Sequence, residues 1–427
     1  MNALEELLAS GAKLEQFFTP AYVAQAQAYV EPLRVKGTVD LIVTFALFAI
    51  VFTFRLHVRL YDACHRFATR VAARIRPDTF ADRYRKLFER VWKGPGMGAS
   101  ALFLLVLIFL WLLTDVPELI YFSYLREKSE GLSHYTPLSF AWDTLKTDLI
   151  DTTVMTMGFL ALYALMRHLP RAWATILGVV GALALLASPL LDPVRERVYY
   201  SYAPLPDGPV RTAVLDVLKK GGVQFQDVVL ENLSRTTVRG DAFFAGQGPT
   251  RLIVIGDTLL TNNSPEEIAV IVAHEMGHLH EPVWPPRILS AIAFLIGLLG
   301  LQRLFNFAAR KRWFGITAPG DVVGYVLVYF AFNVVMVTAA PLANARSRAR
   351  EAEADAYALQ LTNDPSHFAS MMAKLTAQNR FDPVPPGWIE AWRGNHPAAA
   401  RRLAMAVRYA HEHDISLALG PPQDAKQ

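Results

Sequence analysis

The chain has 427 residues, of which 53% are hydrophobic, with a mean hydropathy of +0.24 and a formal net charge of +4. This composition excludes an ordinary soluble protein, and so small a positive balance does not suggest a nucleic-acid partner. A single cysteine, Cys64, excludes an internal disulfide framework and any cysteine-rich metal site, which leaves metal ligation to histidine and carboxylate.

Residues 1–40 read as an amphipathic helical segment broken at Pro20 and Pro32. Acidic residues stand where a secretory signal would be basic, so this segment is expected to be retained. A hydrocarbon core of about 30 Å needs roughly 20 helical residues. Residues 41–192 hold four candidate spans, Leu41–Phe54, Gly98–Leu113, Thr152–Met166 and Ala172–Leu191, of which the first and third are short enough to need flanking residues. Arg55–Lys93 carries eleven Lys/Arg against four acids, interleaved with aromatic and aliphatic residues. Beside a span, such a stretch is expected to rest on anionic lipid headgroups rather than on nucleic acid.

Over 193–285 the pattern becomes soluble. Val210–Gly221 predicts a helix closed by two glycines. Thr236–Ala245 and Arg251–Gly256 predict two strands of a hairpin around Gly246-Gln247-Gly248-Pro249. A helix then starts at Ser264, with Pro265 at its first position and Glu267 completing a capping box. Residues 286–342 hold two further spans, Ile288–Leu301, again short, and Val322–Ala340. Residues 343–427 open with a charged helix at Ala345–Leu361 and continue as a soluble helical region. The predicted fold is an all-α polytopic membrane protein of about six spans, with a soluble part that carries a small β-hairpin.

The chemistry centres on His274-Glu275-Met276-Gly277-His278, ten residues into the capped helix. Histidines four apart share a helical face and can reach one ion, while the intervening glutamate stands beside a water that the ion polarises. This pattern predicts one zinc ion per chain, held by His274 and His278, with Glu275 as general base. His280 faces away from that side and reads as a polar helix-end residue. A third ligand must come from elsewhere. In Ser347–Asp355, Glu351 and Asp355 share a face and Glu353 lies nearly opposite. One of that pair can bind metal while the other orients an imidazole.

HEMGH, two spans and then SRAREAEADA, together with the hairpin GDAFFAGQGPTRLIVIGDTLL and Asn395-His396-Pro397 with Arg402, resemble the gluzincin membrane proteases that include the type I CAAX prenyl proteases and the bacterial heat-shock membrane metalloprotease. The resemblance covers most of 97–410. It implies a zincin-like catalytic domain in which 193–285 and 343–427 are catalytic segments, Glu351 is the third zinc ligand and Asp355 supports the site. It implies that His396 and Arg402 assist substrate binding or the oxyanion. It also puts Asp241, Ala242 and Phe243 on an edge where an extended peptide adds as a strand. The family commonly has asparagine where this chain has Asp241, so an amide donor is missing there. Locally, Asn395-His396-Pro397 also reads as a helix start capped by Asn395.

Prenyl proteases of this type have seven spans around an intramembrane chamber, against six here. The resemblance places the site on the cytoplasmic side, and that is the expectation adopted; the basic loops Arg55–Lys93 and Arg303–Arg312 argue the other way by the positive-inside rule. Expected partners are the lipid bilayer and a peptide or unfolded or lipidated protein substrate. A prenylated substrate is one option, and membrane-protein quality control or signal processing is another. The alternative from a different class is a non-catalytic transporter or scaffold, whose spans would carry charges along a pathway and which would have no need for Glu275.

Overall fold

The computed structural model describes residues 2–92, 96–187, 202–246 and 248–425. Lys93 of the basic stretch, Gln247 of the hairpin turn and the end of the fourth expected span, with the boundary at 192, lie outside the described residues. The chain opens with α1 (Ala3–Ala9), where the Asn2 side chain caps the helix by accepting from Glu5 N–H. Next comes α2 (Pro20–Thr53), capped by Thr19 with Pro20 in its first turn.

The break expected at Pro32 is absent, because α2 runs through it. The missing N–H is offset by tertiary ties on both sides. Tyr22 Oη donates to the carbonyls of Thr376 and Phe381 at 2.8 Å each, and Arg34 pairs with Asp382 at 2.6 Å. One rigid rod therefore joins the soluble body to the first span.

Two amphipathic helices, α3 (Leu56–Ala72) and α4 (Phe80–Trp92), hold the basic stretch. α5 (Met97–Glu118) continues through a π-helical turn, Leu119–Leu125, to Ser129. α6 (Pro137–His168) and α7 (Trp173–Ala187) follow. In the soluble part come β1 (Tyr202–Pro204), α8 (Pro209–Lys220), β2 (Asp227–Glu231), β3 (Ala242–Ala245), β4 (Leu252–Gly256) and α9 (Pro265–His278). The chain then runs through α10 (Trp284–Lys311), α11 (Tyr325–Thr362), α12 (Pro365–Gln378), α13 (Gly387–Arg393) and α14 (Ala399–Glu412).

Among the described residues, each of the six apolar runs lies largely in a helix, the fourth as far as Ala187. Five of these helices are long and apolar enough to cross a membrane: Pro20–Thr53, Met97–Ser129, Pro137–His168, Trp284–Lys311 and Val322–Thr362; the sixth, Trp173–Ala187, is shorter. Their shared core buries Phe48, Phe103, Tyr163, Trp173 and Phe305. Phe48 and Phe52 of α2 meet Phe330 of α11 edge-on, with ring centroids 5.2 and 5.8 Å apart, so the first and last spans pack together. The charged helix expected at Ala345–Leu361 is not separate: α11 carries the last span straight into it.

The sheet has four strands in the order β1-β2-β4-β3, with β2 and β4 parallel and the other pairs antiparallel. The expected hairpin is present as β3 and β4, but β3 starts at Ala242, after a 3-10 turn at Leu233–Arg235. Thr236 to Asp241 is loop because its groups are held by other elements; Thr237 Oγ1 donates to Leu132 O at 2.9 Å, and Arg239 binds Glu127 at 2.7 Å. The soluble core packs Val228 and Ile255 against Ile268, Val272, Phe368 and Leu403, and Leu7, Phe18 and Tyr22 from the N-terminal region join it.

Candidate active site

The helix that carries HEMGH starts where its local sequence demands. Ser264 Oγ accepts from Glu267 N–H at 3.2 Å, and Glu267 Oε2 accepts from Ser264 N–H at 2.7 Å. A cap of this kind contributes about 1 kcal/mol. Glu267 is also fixed by Lys374 at 2.7 Å and Ser370 at 2.6 Å, which ties α9 to α12. At the other end, Gly277 lets α9 meet α11 backbone to backbone. A Cβ at Gly277 would lie 2.6 Å from Ala354 Cα. That close crossing brings Glu351 and Asp355, one turn apart on α11, up to the two histidines.

His274 Nε2 lies 3.2 Å from Glu351 Oε2, and His278 Nε2 lies 3.6 Å from Glu351 Oε1. Glu351 Oε2 is buried and faces imidazole nitrogens, His274 Nε2 at 3.2 Å and His396 Nε2 at 3.4 Å. Donors 2.0–2.1 Å from a tetrahedral ion are separated by about 3.3 Å, so these spacings suit three ligands around one centre. Glu275 also converges: one donor atom from each of His274, Glu275 and His278 lies within 4.8 Å of the others. Two imidazoles and a carboxylate form a donor set suited to a divalent transition metal.

Each imidazole is oriented from behind. His274 Nδ1 stands 2.9 Å from Asp355 Oδ1, leaving Nε2 toward Glu351. Asp355 is fully buried and takes a bidentate bond from Arg402, with Nε at 2.7 Å and Nη2 at 2.5 Å. His278 Nδ1 stands 2.6 Å from Glu281, whose other oxygen takes a 2.9 Å bond from Arg350. Glu281 was missed from the sequence; its only signal there was its place one turn after His278. His280 accepts no such role, since its ring sits on Tyr357 and its Nδ1 is 3.1 Å from Met276 O.

Burial pulls the His274 pKa down, but hydrogen bonds to Asp355 and Glu351 outweigh it and raise the imidazole to about 9. Burial pushes the Glu275 carboxyl up to about 7 against the opposing pull of His274 and His278, within the range suited to a general base. Burial also raises the Asp241 carboxyl and lowers His396, the latter against the neighbouring Glu351.

The site opens into a cleft of ≈ 780 Å³ whose walls include Leu33 and Arg34 of α2, Asp241, Ala242, His274 and Glu275. His396 stands in the cleft, half-exposed, with Nε2 at 3.4 Å from Glu351 Oε2. The helix start expected at Asn395 is displaced: α14 begins at Ala399 with Ala398 as its cap, and Asn395 Oδ1 instead meets His396 Nδ1 at 3.0 Å. Pro383 O takes the Ala400 N–H of the first turn at 3.1 Å, the bond an asparagine cap would otherwise accept, and Glu390 takes the Ala398 N–H.

β3 is an outer strand of the sheet. Gly256 N–H donates to Asp241 O at 2.9 Å, so Asp241, Phe243 and Ala245 pair with β4. By the antiparallel alternation, the backbone groups of Ala242 and Phe244 point to the free edge. The Phe243 side chain packs on the opposite sheet face with Val229 and Val254, away from the cleft.

Comparison with known proteins agrees with this geometry. Residues 204–410 match the profile of Peptidase family M48. The chain is 25% identical over 314 residues to an uncharacterized metalloprotease, YhfN, of Bacillus subtilis, covering 72% of each chain. It is 24% identical over 338 residues to a CAAX prenyl protease 1 homolog of Oryza sativa, covering 75% of this chain and 79% of that protein. The crystal structure of S. mikatae Ste24p superposes with a TM-score of 0.65 at 18% identity, covering 90% of this chain and 88% of that one, a likeness of fold.

Proposed function

We propose for this chain, which belongs to Peptidase family M48 and is a multi-pass membrane metallopeptidase acting on peptide or protein, that one zinc ion is held by His274, His278 and Glu351 and that Glu275 is the general base. The observation that carries this reading is the convergence of two imidazole Nε2 atoms on the Glu351 carboxylate at 3.2 and 3.6 Å. The family membership disfavours a transporter or scaffold.

Held by these residues, zinc would supply Lewis-acid chemistry toward the scissile carbonyl and would lower the pKa of a water beside it. The Glu275 carboxylate accepts the water's proton and passes it to the leaving amine. The free edge at Ala242 and Phe244 binds the substrate backbone as an added strand, while Phe243 between them holds β3 to β4. Asp241 accepts a substrate N–H but offers no donor while ionised. His396, in the cleft, is the group available to donate to the developing oxyanion. Arg402 grips Asp355 through Nε and Nη2 and so positions His274, while lining the cleft itself.

The substrate class follows from the cleft wall. Leu33 lines the cleft on the same continuous helix that enters the first apolar run at Leu41, about 12 Å further along its axis. Scissile bonds are therefore drawn from segments held close to the bilayer, such as the end of a span or a lipidated terminus. We place the catalytic face in the cytoplasm, as the family resemblance implies, although Arg55–Lys93 argues the other way.

The test is metal analysis of the detergent-purified protein beside cleavage of an unfolded reporter. Stoichiometric zinc and chelator-sensitive cleavage are expected. A preparation with no zinc and no cleavage would overturn the reading.

A further inference from the structure

Between the catalytic body and the spans lies the short helix α13, whose C-terminal end is tied to the two helices that leave the membrane there. Asn344 of α11 donates its Nδ2 to Trp392 O at 2.6 Å. Arg393 donates Nη1 to the carbonyls of Leu33 and Arg34 on α2, each at 3.3 Å. The guanidinium lies flat over Gly37, where even a Cβ would come within 2.5 Å of Nη2. α13 thus bridges the first and last spans at one level of the molecule.

One face of α13 is docked upward on the body. Glu390 is buried, accepting from Ala398 N–H at 3.1 Å and from Arg401 Nε at 3.1 Å. Arg348 of α11, one turn on the body side of Asn344, reaches the carbonyls of Glu390 and Gly394 at 2.6 and 2.7 Å. At roughly 100° per residue, Trp388 and Trp392 both lie about 160° from Glu390 and about 40° from one another. They form the face turned away from the body, toward the side on which α2 and α11 continue as spans. Both are open, at 59% and 45% exposure, and the nearby Val39 of α2 and Leu342 of α11 are exposed at 48% and 78%.

We propose that α13 is an interfacial helix, whose Trp388 and Trp392 rest in the headgroup and upper acyl layer of the bilayer. Two ring systems one turn apart, each apolar in body with one N–H to satisfy, match the chemistry of that layer and of neither bulk water nor hydrocarbon. The face is continuous with the apolar surfaces of α2 and α11, and Arg393 beside it holds its charge on backbone carbonyls rather than in lipid. The consequence is positional. α13 leads directly through Gly394 to Asn395 and His396, so lipid contact fixes the height of the cleft mouth above the membrane.

The experiment uses full-length protein in phosphatidylcholine vesicles. Emission of wild type is compared with that of Trp388→Phe, Trp392→Phe and the double variant, with bromine carried near the top of the acyl chains or with iodide in the water. The emission component lost on each substitution should be quenched by the brominated lipid and spared by iodide. A component quenched by iodide and indifferent to bromine would put this face against water and overturn the proposal. The single phenylalanine variants keep an aromatic ring and are read separately, so a misfolded double variant does not leave the question open.

Discussion

Asp355 Oδ1 lies 2.9 Å from His274 Nδ1 at the bottom of the site, and Glu281 Oε1 stands in the same relation to His278 Nδ1 at 2.6 Å. One imidazole is oriented from the helix opposite and the other from the turn after its own helix. Removing either carboxylate frees a ring to rotate without deleting a ligand. Asp355→Asn and Glu281→Ala should each weaken zinc binding roughly 10–100-fold, measured by competition with a chelator of known affinity. Unchanged affinity in both would show that the rings are set by packing alone.

The two glutamates of α11 separate ligand from bystander. Glu351→Ala should lose zinc, whereas Glu353→Ala should keep it, since only Glu351 shares a face with Asp355 and touches the histidines. Metal content by elemental analysis decides this. Equal zinc in the two variants would remove Glu351 from the ligand set.

Gly277 sets the distance between the HEMGH helix and α11. Gly277→Val should force the helices apart against Ala354 and cost about 1–3 kcal/mol of stability, with loss of metal because Glu351 is carried out of reach. Thermal unfolding and zinc content of the same preparation test it. A variant with normal stability and full zinc would show that the contact is not tight.

Orientation is open to direct labelling. In a Cys64→Ser background, a cysteine placed at Arg70 on α3 should react with an impermeant maleimide in intact cells, because the catalytic face is placed in the cytoplasm and α3 follows the first span. Reaction only after permeabilisation would reverse the placement in favour of the charge rule.

Much of this was legible in the sequence wherever the information was local. The capping box at Ser264, the four-residue spacing of His274 and His278, the shared face of Glu351 and Asp355, and the six apolar runs each depend on residues within a few turns of one another. What escaped depends on partners far along the chain. β1 and β2 are strands of three and five residues that exist because β4 pairs with β2 in parallel, and Pro32 is tolerated because Tyr22 and Arg34 are held by residues 376–382. The grip of Arg402 on Asp355 was illegible for the same reason, since the two residues stand 47 positions apart; the family resemblance pointed only to substrate or the oxyanion. Phe243 fell in the expected strand, but the two-residue alternation sent its ring to the far face.

The most direct measurement of the central claim is cleavage by Glu275→Gln. The carboxylate neighbours the two histidines without being needed as a ligand, and the amide preserves its size, so the variant should fold, melt near wild type and bind a full complement of zinc. Proteolysis should fall by roughly 10²–10⁴, the contribution expected of a general base. His274→Ala, in contrast, should lose the metal with the activity. If Glu275→Gln cleaves an unfolded reporter at an undiminished, chelator-sensitive rate, Glu275 is not the base and the proposed mechanism is wrong.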